Sequence, residues 1–202
     1  MTSSVPIEIE RTHLITCVPK KLDCGVLLRQ WYVPISAIEI HSNISINSLE
    51  LVSNIATKWI VGVMDAINNE DPTIRIRLNG TEAILCIKGP TNGITRNEFE
   101  WIIGPYSTIE DLLIDSKWPM VEKKRWRVHD TNNHIWDLDQ FLGLNEGLWL
   151  AEIELESEDE LYDWPKWVGN DVTGDNRFTS KQLARHPFTE FIDIHSSPNS
   201  EC

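Results

Sequence analysis

The sequence predicts an all-β-dominated α+β fold, an eight-stranded antiparallel closed β-barrel with several flanking helices. Short stretches alternate apolar and polar residues with a period of two, which suits strands. Gly, Asn and Pro turn chemistry separates most of them, as at Asn79-Gly80, Gly89-Pro90, Asn92-Gly93 and Asn132-Asn133. One face of strand after strand is ionic, whereas a solvated sheet face ordinarily mixes in Thr, Ser and Gln. Closing the sheet with those faces inward gives a barrel lined with charge, which is costly unless the lining is wet and holds something of complementary charge.

In chain order, the pattern places strands at Ile7–Ile15, Val26–Val33, Thr73–Asn79, Glu82–Lys88, Thr95–Ile103, Glu122–Val128, His134–Phe141 and Leu148–Glu156. Between the second and third lies a longer stretch, about 34–72, read as an inserted helical segment. Its helix spans Asn47 to Ile67, with Val52, Ile55, Ala56, Trp59, Val63 and Ile67 at helical spacing after Asn47-x-x-Glu50. That segment carries no titratable pair, so outside packing or a homodimer contact ranks above a catalytic lid. Ser107-x-x-Glu110 and Ser157-x-x-Glu160 resemble capping boxes, and Thr179 caps a last helix stopped by Pro187. Residues 1–186 read as a single domain and 187–202, with Ser196-Ser197-Pro198, as a polar frayed tail.

The 202 residues carry a net charge of −13, with 41% apolar residues and an isoelectric point near 4.8. That balance argues against broad binding to nucleic acid or anionic lipid. No apolar run approaches the ~20 residues that span a bilayer. Glu8 and Glu10 stand where a signal peptide needs apolar sequence. The four cysteines, Cys17, Cys24, Cys86 and Cys202, form no C-x-x-C pair, so structural thiols in a reducing cytoplasm are expected. The six histidines lack metal spacing, and the chain has no nucleophile elbow, P-loop or G-x-G-x-x-G. Trp126, Trp136 and Trp149 fall on the faces opposite the charges and read as packing.

The ionic faces carry the candidate chemistry. Glu8, Glu10, Glu98, Glu100, Asp137, Asp139, Glu152 and Glu154 supply the acids; Arg75, Arg77, Lys88, Arg96, Lys123, Arg125, Arg127 and Arg177 supply the bases. Eight against eight, the lining is neutral by itself. Two divalent cations on the glutamate pairs add positive charge equal to the about four negative charges of a triphosphate. Oxygen-only ligands favour Mg²⁺ or Mn²⁺, and Arg and Lys pairs suit phosphoryl oxygens. The expectation is therefore a metal-dependent site for a small polyphosphate.

These residues also resemble a known family. Ile7-Glu-Ile-Glu-Arg-Thr-His-Leu-Ile15 is similar to the opening E-x-E-x-K element of CYTH domains, the triphosphate tunnel metalloenzymes. The likeness continues through Arg75-Ile-Arg77, Ile87-Lys88-Gly89, Arg96-x-Glu98-Phe-Glu100 and Lys123-x-Arg125. It is strongest in Trp136-Asp-Leu-Asp139-x-Phe141, in Gly147-Leu-Trp-Leu-Ala-Glu152-Ile-Glu154-Leu155 and in the run from Pro165 to Phe178. The resemblance implies a tunnel in which Glu8, Glu10, Glu152 and Glu154 bind Mg²⁺ or Mn²⁺, with Asp139 a further ligand. It also implies that Arg75, Arg77, Lys88, Arg96, Lys123, Arg125 and Arg177 hold the phosphate chain, and that Glu10, Lys123 and Arg125 serve catalysis. Within the family the short bacterial inorganic triphosphatases are the nearest likeness; class IV adenylate cyclase and thiamine triphosphatase are the enzymatic alternatives. The family lysine of E-x-E-x-K is Thr12 here, which raises the alternative of a polyphosphate-binding module weakened in catalysis.

Overall fold

A computed structural model describes residues 6–191, 198 and 201–202. The strands are β1 (Ile7–Ile15), β2 (Val26–Tyr32), β3 (Ile38–Ile40), β4 (Ile44–Ile46), β5 (Leu49–Val52), β6 (Thr73–Asn79), β7 (Glu82–Lys88), β8 (Thr95–Pro105), β9 (Met120–His129), β10 (Ile135–Phe141), β11 (Trp149–Glu154) and β12 (Val168–Asp171). The helices are α1 (Thr57–Ile67), α2 (Glu110–Ser116) and α3 (Ser180–Leu183). Eight strands are hydrogen-bonded in the order β11-β10-β9-β2-β6-β7-β8-β1, and β1 pairs again with β11. The order returns to its start, so the fold is a closed eight-stranded antiparallel barrel with flanking helices. β12 adds to the far side of β1, and β3-β4-β5 form a separate three-stranded sheet.

Two compact units divide the chain, one of Met1–Glu8 with Gln30–Met120, the other of Ile9–Arg29 with Val121–Cys202. In the first, β6 and β7 are joined by a tight turn at Asn79-Gly80, where Gly80 takes a positive φ of 63°. Their apolar residues Ile74, Ile76, Leu78, Leu85 and Ile87 pack with Phe99 of β8, Val63 and Ala66 of α1, and Ile44, Ile46 and Val52 of the small sheet. Close approach of α1 depends on Gly62, because a Cβ there would lie 2.8 Å from the Phe99 ring. The insertion therefore covers the apolar backs of β6–β8.

Its local structure corrects the expected Asn47–Ile67 helix. Asn47 and Ser48 both adopt positive φ, at 47° and 65°, and turn β4 into β5; the helix begins only at Thr57. Asn tolerates that left-handed backbone, and Ile44-Ser-Ile46 alternates like a strand. The Ser157-x-x-Glu160 helix is also absent: Glu160 instead accepts the backbone N–H of Glu156 within a turn. Ser107 lies in a short 3-10 turn ahead of α2, which carries no side-chain cap. Thr179 caps α3 as expected, accepting the Gln182 N–H at 3.3 Å.

In the second unit the backs of β9–β11 are aromatic. Trp126 stacks on Trp149 at 5.4 Å, and fully buried Trp136 meets His13, Tyr162 and Trp167 edge-on. The end of the chain is partly ordered, contrary to a wholly frayed tail. Phe188 is buried, and its N–H donates to Asn145 Oδ1 at 2.7 Å. Cys202 is disulfide-bonded to Cys17, across 185 residues, and its N–H donates to the Val18 carbonyl. Two structural thiols thus become a bridge, and the cysteine argument for a reducing compartment falls; a separation of that length leaves no spacing motif to read. Ser196 and Ser197 lie outside the described residues. Among the described residues no helix is long and apolar enough to cross a membrane.

The turn after β9 is clamped to the segment after β11. His134 Nδ1 lies 3.1 Å from Asp130 Oδ2, and Nε2 lies 3.1 Å from Glu160 Oε1; Thr131 and Asn132 both donate to Asp163. Desolvation lowers the His134 pKa, but the hydrogen bonds to Glu160 and Asp130 outweigh it and leave the value raised. A raised folded pKa means the stabilisation is complete below the ordinary imidazole value of about 6.5 and is lost as pH rises through the folded value. His134→Gln is therefore expected to lower the melting temperature more at about pH 6 than at about pH 9. Equal losses at both, read by scanning fluorimetry, would refute the clamp.

Candidate active site

On β6–β8 the face opposite the apolar core holds a charge network. Register sets it: Arg75 stands opposite Cys86, Cys86 opposite Glu100, and Lys88 opposite Glu98. Lys88 Nζ donates to both oxygens of Glu8 at 2.8 and 2.9 Å and lies 3.2 Å from Glu98. Arg96 Nε donates to Glu8 Oε2 at 2.5 Å. Arg75 and Arg77 converge on Glu100 at 3.3 and 3.1 Å. Four cations thus meet three carboxylates.

That excess shows in the titration of its members. Burial pushes the Glu98 carboxyl up, yet Lys88, then a hydrogen bond with Glu8, then Arg75 and the Cys86 hydrogen bond bring it down to about 2. For Lys88 burial works against the charge, and Glu8 more than offsets it, so the ammonium is held more firmly than usual. Burial drives the Cys86 thiol up to about 12 despite Arg75 and Lys88, and the thiol donates to Glu98 at 2.9 Å. Cys86, Glu98 and Glu100 present possible metal-ligating atoms within 4.8 Å of one another. A thiol that stays protonated, among carboxylates already paired to Arg and Lys, suits a hard divalent ion poorly.

The second unit carries a different balance on β9–β11. Asp139 faces Arg125 in the β9–β10 register, and Asp137 faces Glu152 in the β10–β11 register. Arg125 donates to Asp139 through Nε at 2.6 Å and Nη2 at 2.5 Å, to Asp137 through Nη1 at 2.5 Å, and to Glu152 through Nη2 at 2.5 Å. Lys123 Nζ donates to Asp139 Oδ2 at 2.6 Å. On the same face, Glu10 of β1 stands opposite Glu154, and Thr12 opposite Glu152. With Arg127 counted, three strand-borne cations meet five strand-borne carboxylates. Burial raises the Asp137 pKa, and beyond the counteracting Arg125 its neighbours Glu152 and Asp139 raise it further. Carboxylates in excess of cations offer oxygen donors of the kind Mg²⁺ or Mn²⁺ prefers.

Of the residues expected from sequence, Glu8, Arg75, Arg77, Lys88 and Arg96 gather in the first network; Lys123, Arg125, Asp139 and Glu152 gather in the second, with Glu10 and Glu154 on neighbouring register positions. Arg177 is instead half-exposed and chelated by Asp175, with Nη2 to Oδ2 at 2.6 Å. Thr12, in the family's lysine position, donates its N–H to Thr173 Oγ1, and its carbonyl accepts the Val172 N–H. Cys86 is absent from the expected set and Asp137 enters it only as a lining acid, although each sits two residues from an assigned one, Lys88 and Asp139, where period-two spacing shares a face.

The fold is thus an antiparallel barrel whose strands carry paired cations and carboxylates on β6–β8 and on β9–β11. The chain belongs to the CYTH domain family, whose profile matches residues 65–185. β1, with Glu8 and Glu10, lies before the matched stretch. An inorganic triphosphatase of Acetivibrio thermocellus is 36% identical over 125 residues, 61% of this chain and 78% of that protein. An inorganic triphosphatase of Nitrosomonas europaea is 32% identical over 118 residues, 55% of this chain and 74% of its own length. The crystal structure of the inorganic triphosphatase NE1496 superposes with a TM-score of 0.54 at 27% identity, covering 91% of this chain and 95% of that one.

Because Lys88 holds Glu8 and Glu98 together in a dry setting, its removal leaves buried carboxylates short of a partner. Lys88→Met is expected to cost about 3–5 kcal/mol at neutral pH, measured by urea unfolding. A loss below about 1 kcal/mol would show that the pairing contributes little.

Proposed function

We propose that the chain hydrolyses inorganic triphosphate with the help of Mg²⁺ or Mn²⁺. The observation that carries this is the opposite charge balance of the two networks. Cation excess around Glu98 suits a phosphate anion, and carboxylate excess around Asp137 suits a divalent cation. The relatives' activity points the same way. Residues 1–186 act as one functional domain in this reading.

Arg75, Arg77, Lys88, Arg96, Lys123 and Arg125 bind phosphoryl oxygens, the arginines through planar forks that match two oxygens at once. Arg177 takes part only by leaving Asp175. Glu8, Glu10, Glu152 and Glu154 hold the metals, two in number. Bound metal supplies charge neutralisation on the phosphoryl oxygens and lowers the pKa of a coordinated water. Glu10 would orient the attacking water, while Lys123 and Arg125 would stabilise charge on the leaving oxygens. Water adds to the phosphorus, the phosphoanhydride bond breaks, and orthophosphate and pyrophosphate leave.

Purified protein should release phosphate from tripolyphosphate with Mg²⁺ or Mn²⁺ well above its rate on a nucleoside or thiamine triphosphate. Arg125→Ala should lower kcat by about 10²-fold. No release across both metals and neutral to alkaline pH would defeat the reading. The cyclase alternative needs a purine-stacking surface, whereas Trp126, Trp136 and Trp149 are engaged in packing. A binding module remains the second reading because Thr12 carries no charge. Thr12→Lys is expected to raise kcat if this is an enzyme slowed by threonine; tight tripolyphosphate binding with no gain in turnover would favour the module.

A further inference from the structure

We propose that Asp139 is a positioning residue that fixes Lys123 and Arg125 for the phosphate chain, and not a metal ligand. This rests on the triphosphatase reading and narrows it. Asp139 is fully buried, at 0% exposure, and three donors occupy its two oxygens: Oδ1 accepts Arg125 Nε at 2.6 Å, while Oδ2 accepts Lys123 Nζ at 2.6 Å and Arg125 Nη2 at 2.5 Å. Lys123 is itself nearly buried, at 2%, with Nζ 3.4 Å from Ser180 Oγ and 5.2 Å above the Phe141 ring. Its ammonium is thus fixed on several sides.

A divalent ion on Asp139 would have to displace both cations from a dry carboxylate and leave them beside a third positive centre, which low-dielectric surroundings penalise heavily. The other two carboxylates on Arg125, Asp137 and Glu152, are each 17% exposed at the side chain. Water reaches them, so they can let go of Arg125 while Asp139 keeps its grip. Glu8 is also held by cations, yet its side chain keeps 8% exposure and one of its partners, Arg96, is 25% exposed. Asp139 itself has no exposed surface, at 0%.

The test uses Asp139→Asn, which keeps shape and an acceptor oxygen but drops the charge. Calorimetric titrations compare it with wild type for tripolyphosphate in chelator and for Mn²⁺ alone. The expected result is tripolyphosphate affinity weakened about tenfold or more, with Mn²⁺ affinity within about twofold of wild type. Mn²⁺ affinity reduced about tenfold, with or without a change for tripolyphosphate, would overturn the assignment, as would unchanged tripolyphosphate affinity. If Asp139→Asn unfolds, Lys123→Met with Asp139→Asn removes the buried pair together. Acting only through its partners, Asp139→Asn should then take from the Lys123→Met protein only the share of tripolyphosphate affinity that runs through Arg125. The triple variant with Arg125→Met should match Lys123→Met/Arg125→Met, and a further loss there overturns the proposal. Wild-type protein that binds tripolyphosphate but never cleaves it defeats the hydrolysis reading alone and leaves this one standing.

Discussion

A charge buried on a strand must be paired, and most of this structure follows from how that demand is met. The ionic faces of β6–β8 and of β9–β11 sit where water is scarce, so nearly every charged group there has a partner dictated by register. An isolated carboxylate moved from water into such surroundings would lose several kcal/mol of solvation. Pairing offsets that loss without making the site a stabilising feature. Well-packed apolar residues would hold the strands together as well, so the charges are a cost that only a ligand's chemistry justifies.

The two networks meet the demand differently, and the difference has functional content. Around Lys88 the cations outnumber the carboxylates, and Glu98 is drawn down to about 2 because ionisation is the only state that satisfies its neighbours. Around Arg125 the carboxylates outnumber the cations, and Asp137 is pushed the other way. The proposed function rests on that difference, an anion suiting the first set and a cation the second.

Period-two alternation made the barrel strands legible, because each has a buried apolar face and an opposite ionic face, as in Arg75-Ile-Arg77 and Asp137-Leu-Asp139. The same rule identified the ionic residues as a set. It failed in the insertion, where Val52, Ile55, Trp59 and Val63 keep helical spacing across a boundary that Asn47, Ser48 and Asn54 break through positive φ. Backbone handedness at an Asn is decided by the turn it joins, and helical periodicity does not register it. The Cys17–Cys202 bridge was illegible for another reason, since no local pattern links residues 185 apart. Nor does sequence distinguish Asp137 from Asp139. Identical in type and on one face, they differ only in how far the surrounding chain excludes water.

Placing the reactive charges on strands, with packed apolar layers behind them, also sets how precisely they can be held. In the first unit α1 and the small sheet press on the backs of Arg75, Arg77 and Lys88 through Ile74, Ile76 and Ile87. In the second, the Trp126–Trp149 stack and the cluster around Trp136 do the same behind Arg125, Asp137 and Glu152. Long cationic side chains lose much conformational entropy when ordered, and here Lys88, Lys123 and Arg125 are already held by carboxylates. A preorganised donor costs no rearrangement as charge develops on phosphoryl oxygens, which is where electrostatic catalysis gains most of its effect. The acidic net charge of the chain, −13, is compatible with this because attraction depends on the few cations fixed at the site. On the proposed reading, the surrounding negative surface disfavours loosely bound anions, and the prearranged cations of the first network favour a compact, multiply charged one.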